Sequence, residues 1–582
     1  MLDYDEPVKD YESYFKEQHE RVVSDYFEQL LKQSGVDEQL NIKTIEELRV
    51  LETNTSKETK VRFWWKFARV SSIVIASISF LLLFAGAIYL LITLAGSLLF
   101  LFLKVNKEVK SHHEKVNSLT SERDAKAAEA WKQLAPLNIL YDWELAQQLF
   151  QKTFPDVNLD SFLSHSRLDD LYNTYGLSNT FNDGRSVLFA QSGSLKENPF
   201  TIARFLQHWI GTKTYTGSIV IYWTEQVRNA QGQWVSVQRT QTLTASVTKP
   251  FPEYNTRTIL IYGHEAAPNL SFSRTPSNLS GIEESMINNW KKGHAIKKIE
   301  KKARTQLKKG TGDLTVMSNR EFEALFNATD RDHEIEFRLL FTPLAQQEMV
   351  NLMNDTTVGY GDNFSFSKYG SINLVEPGHL SQLKFDSDPR LFHTNDVKQA
   401  RNFFNAYHTN YFKAMYFALA PLFTIPLYRD KRSVPLPKSA SKPAGTSFWE
   451  HEAIANHMGQ EHFKHPASVT QNLLKTQAGS DDGGNVTVKV TAHGYEGFPM
   501  TDYIPVYGGD GNWHQVPVHW VDYQPVSAES SIAVSIVQDP NKDEKETEKT
   551  KKGWEAFLGK HGLTPENAFV RGTLAGILLS RK

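Results

Sequence analysis

Residues 70–105 read VSSIVIASISFLLLFAGAIYLLITLAGSLLFLFLKV, and no charged side chain lies between Arg69 and Lys104. A bilayer core is about 30 Å thick and is crossed by about 20 apolar residues in a helix. The stretch is long enough to span and too long for one upright helix. VRFWWKFAR (61–69) abuts it on one side, and Lys104, Lys107, Lys110 and Lys115 follow on the other. Indole rings suit the headgroup level, and lysine and arginine stems can reach back to it. Arg62, Phe63, Trp64, Trp65, Lys66, Arg69, Lys104 and Lys107 are therefore the expected membrane-interface residues. Two basic flanks cannot orient a single span, whereas a helical hairpin puts both on the cytoplasmic side. Gly86 and Gly96 are candidate turn or close-packing points. Hairpin arms of about 16–20 residues would be short for a bilayer, and one tilted span of about 25 residues is the alternative.

Working outward, residues 1–60 read as helical, with Tyr14, Val22, Tyr26, Leu30 and Leu31 near helical spacing and Gly35 as a stop. The acidic, aromatic start MLDYDEPVKDYESYF is unlike a cleaved signal. Residues 61–105 form the anchor, and residues 106–175 continue as a helical stalk with Pro136 as a break. The character changes in 176–284. SVLFAQ, TGSIVIYWTEQV, QWVSVQRTQTLTASV and TRTILIYG are strand-like, 216–248 reads as a hairpin around the Asn229–Gly232 turn, and NPFTIARFLQHWIG reads as a helix. Residues 285–310 are a basic helix or linker, with Lys291, Lys292, Lys297, Lys298, Lys301, Lys302, Arg304, Lys308 and Lys309 nearly encircling it. Such a run is a solvated face or a contact for anionic lipid. A second α+β segment covers 311–428, a Pro/Ser/Lys linker 429–448, a β-rich domain 449–540, and a charged linker with a C-terminal helix 541–582.

The fold class expected from this pattern is an α+β multidomain membrane protein. It has a helical N-terminus, one apolar membrane block (hairpin or single span) and β-rich soluble domains. Thirty-five phenylalanines, 22 tyrosines and 12 tryptophans argue for packed cores. A formal net charge of −2 gives no global pull toward nucleic acid. Cysteine is absent, which excludes disulfides, thiolate metal sites and cysteine nucleophiles.

Two strings carry possible chemistry. Thr356-Thr357-Val358-Gly359-Tyr360-Gly361-Asp362 spells a potassium-channel selectivity filter, whose carbonyls replace an ion's hydration shell. The flanking AQQEMVNLMND is too polar for a pore helix, and the string reads as a turn before a strand. WEHEAIANHMGQEHFKHP carries His451, His457, His462 and His465. His451-Glu452 and His457 are six apart, which misses the one-face spacing of a zinc protease helix. His462 and His465, three apart, could share a metal but lack a third ligand. No phosphate loop or nucleophile elbow occurs. No catalytic, cofactor-binding or metal residue is assigned.

The order of elements around REFEALFNATDRDHEIEFRLLFTPLAQQEMVNLMND resembles an uncharacterised family of bacterial membrane-anchored proteins, on Phe322, Phe326, Glu336, Arg338, Leu339, Thr342 and Pro343. The resemblance spans 60–380. It implies N-terminal helices, a short membrane hairpin and a cytoplasmic α+β domain, and supplies no activity. The expected function is a membrane-anchored bacterial protein, integral to the cell membrane, whose domains bind or scaffold other proteins or the membrane surface. The expected partners are the lipid bilayer, anionic lipid through Lys291 to Lys309, and proteins. The alternatives are a membrane-bound metal-dependent hydrolase and, more remotely, ion transport.

Overall fold

The computed structural model describes residues 5–83, 91–277, 293–305 apart from 295 and 303, 315–434 apart from 384 and 386, 445–482, 485–536, 567–570 and 573–578. The chain divides into two compact units, one of residues 20–142 and 388–409, the other of residues 1–19, 143–387 and 410–582.

The first unit is helical. Its long helix, α3 (Glu38–Leu83), follows α2 (Lys16–Ser34), which enters from the other unit, and precedes α4 (Leu91–Phe100). A π turn (Leu101–Val105) leads into α5 (Asn106–Asn138). α3 alone is about 70 Å long. The chain turns back on itself, because each bridge between the arms pairs an early residue with a late one. Gln133 Nε2 donates to Thr44 Oγ1 (3.0 Å), Lys126 meets Glu47 (2.9 Å), Lys115 meets Glu58 (3.2 Å), and the Ser79 and Thr93 hydroxyls lie 3.0 Å apart. Trp65 packs on Leu101, Val105 and Val109. Arg62 reaches His113 (3.3 Å). Phe63 and Trp64 point outward, and Lys66, Arg69, Lys104 and Lys107 are exposed. At the other end Asn41 accepts from the Val397 amide and donates to the Asn395 carbonyl (both 3.0 Å), fixing residues 395–397 against the helix pair.

The membrane class does not stand. Among the described residues no helix is long and apolar enough to cross a membrane. The apolar end of α3, residues 70–83, rises about 21 Å, and the ten residues of α4 about 15 Å, against a core of about 30 Å. Lengthening the first arm brings in Lys66 and Arg69 on the same helix. Gly86 lies outside the described residues. The expected membrane block, transmembrane helix and integral cell-membrane location are thereby corrected, and with them the assignment of the remaining mass to the cytoplasm. The α+β content stands. Ser72, Ala76 and Ser79 are buried, while Ile73, Ile75, Ile78, Phe80 and Ile92 remain exposed.

The second unit contains two antiparallel sheets. The first has the order β1-β2-β3-β4-β7-β6-β5, from β1 (Val157–Leu159), β2 (Arg185–Leu195), β3 (Asn198–Arg228), β4 (Trp234–Gly263), β5 (Ser271–Arg274), β6 (Phe364–Tyr369) and β7 (Ile372–Pro377). The second has the order β11-β12-β10-β9-β8, from β8 (Leu473–Asp482), β9 (Asn485–Tyr507), β10 (Trp513–Ile536), β11 (Asn567–Val570) and β12 (Thr573–Leu578). The last two strands lie within the C-terminal tail, and the rest of that tail, including residues 541–566, lies outside the described residues.

NPFTIARFLQHWIG is not a helix. Its first ten residues pair with β2 on one side, and Phe200 onward pairs with β4 on the other. Phe200, Ile202, Phe205 and Leu206 have helix-like spacing, but a central strand buried on both faces needs no strict alternation.

Among the described residues, helices of this unit include α1 (Pro7–Asp10), α6 (Leu145–Thr153), α7 (His165–Asn173), α8 (Arg320–Phe326), α9 (Glu334–Leu340), α10 (Pro343–Asn354), the C-terminal part of α11 (Val397–Phe423) and α12 (Phe448–Met458). The resemblance-bearing Phe322 and Phe326 stack at 4.9 Å in a cluster with Phe272, Phe337, Phe341 and Phe366. α12 joins the cores. Trp449 and Ala453 pack with Leu171, Phe205 and Ile261 of the first, while Ile454 and Ala455 pack with Val488, Val490 and Ile532 of the second.

Candidate interaction surface

The filter-like string is a turn between α10 and β6. The Asp355 carboxylate accepts from the Thr357 and Val358 amides (3.1 Å each) and the Gly359 amide (2.5 Å). Burial pushes the Asp355 pKa up, but these backbone donors and the Thr357 hydroxyl outweigh it and hold the group below its ordinary value. Tyr360 stacks flat on His379 (4.0 Å) and meets Phe417 edge-on. Both carboxylate oxygens of Asp362 accept from Arg274 Nη2 (2.7 and 2.9 Å), and both side chains are buried.

The histidines of residues 449–466 do not converge. His451 is buried on α12, its Nε2 2.7 Å from the Thr446 hydroxyl, and burial pushes its pKa down to about 4. His457 packs edge-on against Trp143. His462 is exposed, and His465 Nδ1 accepts from the Ala467 amide (3.2 Å). Among the described residues no three His, Asp or Glu side chains form a metal-holding group. The acidic residues of the string are pins. Glu450 accepts from the Leu163 amide (2.9 Å). Glu452 accepts from the Val187 amide (3.0 Å), Asn182 Nδ2 (3.0 and 3.1 Å) and Lys475 Nζ (2.9 Å). Buried carboxylates need such partners.

In the basic run, Ile299 is buried, Lys302 donates to the Thr329 carbonyl (2.9 Å), and Glu300 pairs with Arg320 (2.5 Å), so the described helix docks by one side. Lys291, Lys292, Lys308 and Lys309 lie outside the described residues.

A further buried cation sits on β6. Lys368 is fully buried, and its ammonium donates to the Ala266 carbonyl (2.9 Å). Burial, opposed by Glu336, pushes its pKa down to about 7. The unfolded chain keeps this proton up to about pH 10.5. Between those values the unfolded state binds the extra proton, so stability rises with pH across that window, and the penalty is fully present below pH 7. Lys368→Met should flatten the rise and stabilise the protein at pH 7 by roughly 2–4 kcal/mol. Urea titrations at the two ends of the window check this.

The feature that no single motif announced is an arm of two β-ribbons. β3 leaves the first sheet after Gln207, where its pairing with β2 ends, and β4 rejoins β7 only at Leu260. Between these points the two strands pair only with each other among the described residues, as a ribbon roughly 70 Å long. β9 and β10 leave the second sheet in the same way. The ribbons pack face to face. Odd-numbered Tyr215, Ile219, Ile221 and Trp223, with Leu243, Ala245 and Val247, enclose Val516 and Val518, joined by Ile504 and Val506. Lys249 binds Asp502 (2.7 Å) and lies over Trp520 (4.1 Å), and Phe251 meets Tyr523 edge-on. The β9–β10 turn is tied down by the Gly509 amide, which donates to Gln241 Oε1 (2.7 Å). Gly217 is required at the crossing, since a Cβ there would sit well inside van der Waals contact of the Pro517 carbonyl.

The other faces are open. Thr214, Thr216, Ser218 and Thr224 on β3 face outward beside Thr248, Ser246, Thr244 and Gln238 on β4. Large rings stand on the outer faces of both ribbons, with Tyr222 78% and Trp234 64% exposed on the first and Tyr503 65% and Trp513 68% exposed on the second. Arg228 stacks over Trp234 (5.2 Å), and Trp513 meets Tyr507 (5.5 Å). Where the ribbons part, His208, Tyr254, His493, Tyr495 and Ser527 line a cavity of about 240 Å³. His208 Nε2 is buried there without a hydrogen-bond partner, and burial lowers the His208 pKa. The sequence signal for the arm is present in the alternating TKTYTGSIVIYW and TQTLTASVTK, whose two strands run far longer than the usual five or six residues.

Comparison of the chain with protein-family models, curated proteins and solved structures finds no match. The resemblance noted on Phe322 to Pro343 rests on those residues alone and brings no activity with it.

Proposed function

We propose that this protein is a binding scaffold whose double ribbon holds partner proteins. One observation carries the reading: four large aromatic side chains stand more than three-fifths exposed on one projecting arm. Tyrosine and tryptophan are the residues that dominate binding energy when a partner covers them. The outward hydroxyls of β3 and β4 beside Tyr222 and Trp234 provide polar contacts at little ordering cost, and the packed inner face keeps the arm extended before a partner arrives.

The test is a joint Tyr222→Ser, Trp234→Ser, Tyr503→Ser and Trp513→Ser variant, purified from its native host beside the unchanged chain. Its unfolding free energy should stay within about 1 kcal/mol, as for exposed sites. The stoichiometric complexes recovered with the unchanged chain should be lost. Complexes that persist in the variant would contradict the proposal.

A further inference from the structure

Four strand edges on the arm run free of the sheets among the described residues, and three of them carry obstacles. β9 has Pro499 and Pro505, and β10 has Pro517 and Pro525, each of which removes a ladder donor. The β4 edge has Pro250 and Pro252 near its base and an uncharged run, residues 240–248, bounded by Arg239 and Lys249. The β3 edge has no proline beyond the sheet. Its uncharged run, residues 214–224, is bounded by Lys213 on one side and Glu225 on the other. β10 packs over both β3 and β4, and β9 over β4, so the second ribbon covers the inner face of the first and leaves the backbone edge of β3 without a ladder partner among the described residues. Unprotected edges of this length are templates for another strand.

We propose that two copies of this chain join through β3, edge to edge and antiparallel, with Ile219 on the two-fold axis. The bounding charges select this arrangement. Centring the pairing on the uncharged run places Lys213 opposite Glu225 of the second copy, and Glu225 opposite Lys213 of the second copy. The same operation on β4 sets Arg239 against Lys249, two like charges that are paired within the chain to Glu225 and Asp502 and gain no opposite charge from the second copy. Opposite charges directly across an antiparallel pair stabilise it, and like charges destabilise it. Lys213 and Glu225 are both exposed; within the chain Glu225 binds Arg239 (3.0 Å) and Lys213 lies over the Phe251 ring (4.9 Å), so each would share its charge with the second copy. Parity also holds. Ser218 falls opposite Val220 and Thr216 opposite Tyr222 on the outer face, while Gly217 meets Ile221 and Tyr215 meets Trp223 on the inner face. Polar stays with the open face and apolar with the packed one, as register requires. The contact is isologous and closes at two copies. It uses the ribbon's edge, not the exposed rings, and stands apart from the binding role proposed above.

Sedimentation equilibrium of the full chain tests it. A dimer should form with concentration, Lys213→Glu or Glu225→Lys should each weaken it roughly tenfold, and the double reversal should restore it. The chain has no cysteine, so a variant carrying Ser218→Cys and Val220→Cys should cross-link between chains on oxidation, and Thr244→Cys should not. A monomer at every concentration overturns the proposal. So does a dimer that ignores both reversals, or one in which positions 218 and 220 fail to cross-link.

Discussion

Glu452→Ala is expected to destabilise the β-rich unit by about 3–5 kcal/mol, the usual consequence of breaking a buried charge pair. The carboxylate is fully buried and is the meeting point of three elements: the Val187 amide on β2, Asn182 before it and Lys475 on β8. Burial raises its pKa, and Lys475 with the amide donors works against that rise. Truncation leaves the Val187 amide without its acceptor and Lys475 facing a void between the two cores that α12 joins. Urea unfolding measures the loss. Glu461→Ala, four-fifths exposed and outside any core, should change stability by less than about 0.5 kcal/mol. The contrast discriminates sharply, because a carboxylate placed for hydrolysis would leave stability intact and remove only turnover.

The second large effect is local. Gly217→Val should separate the ribbons, because its side chain would meet the Pro517 carbonyl and the Val518 backbone, which have no rotamer to change. Overpacking of this kind costs roughly 1–3 kcal/mol. Amide exchange in the middle of β9 and β10 should accelerate roughly tenfold to a hundredfold, while exchange within β2 stays unchanged. Gly211 provides a weaker comparison, since a Cβ there meets only the movable Glu253 side chain.

The sequence conveys the kinds of element well and their lengths poorly. The α+β mixture follows from helical spacing before residue 150 and alternation after 180. The strand-like runs are shorter than the strands of the arm, and Gly217, Pro499, Pro505 and Pro517 lie along its length. In the structure the glycine is a close approach between ribbons, and the prolines sit along a ribbon whose edges need no donor. The WEHEAIANH string carried a chemical look because buried carboxylates and a buried histidine are rare, and their partners, Leu163, Asn182, Val187 and Lys475, are distant in sequence. For the apolar stretch 70–105, hydropathy and the aromatic and basic flanks point to a membrane block. Lys66 and Arg69 lie on α3 itself, and among the described residues no helix is long and apolar enough to cross a membrane. Lys368 gives no sequence signal, since a lysine in an alternating strand reads as solvent-facing.

The central claim, that the double ribbon is the surface by which this protein holds others, is tested most directly by photo-cross-linking in the native host. A photoreactive phenylalanine analogue replaces Trp234 or Trp513 on the arm, or Tyr369, which is also well exposed but lies on β6 away from it. Adducts to another polypeptide of defined mass from positions 234 and 513, and none from 369, are the predicted result. Equal adducts from all three positions, or none from the arm, would contradict the account.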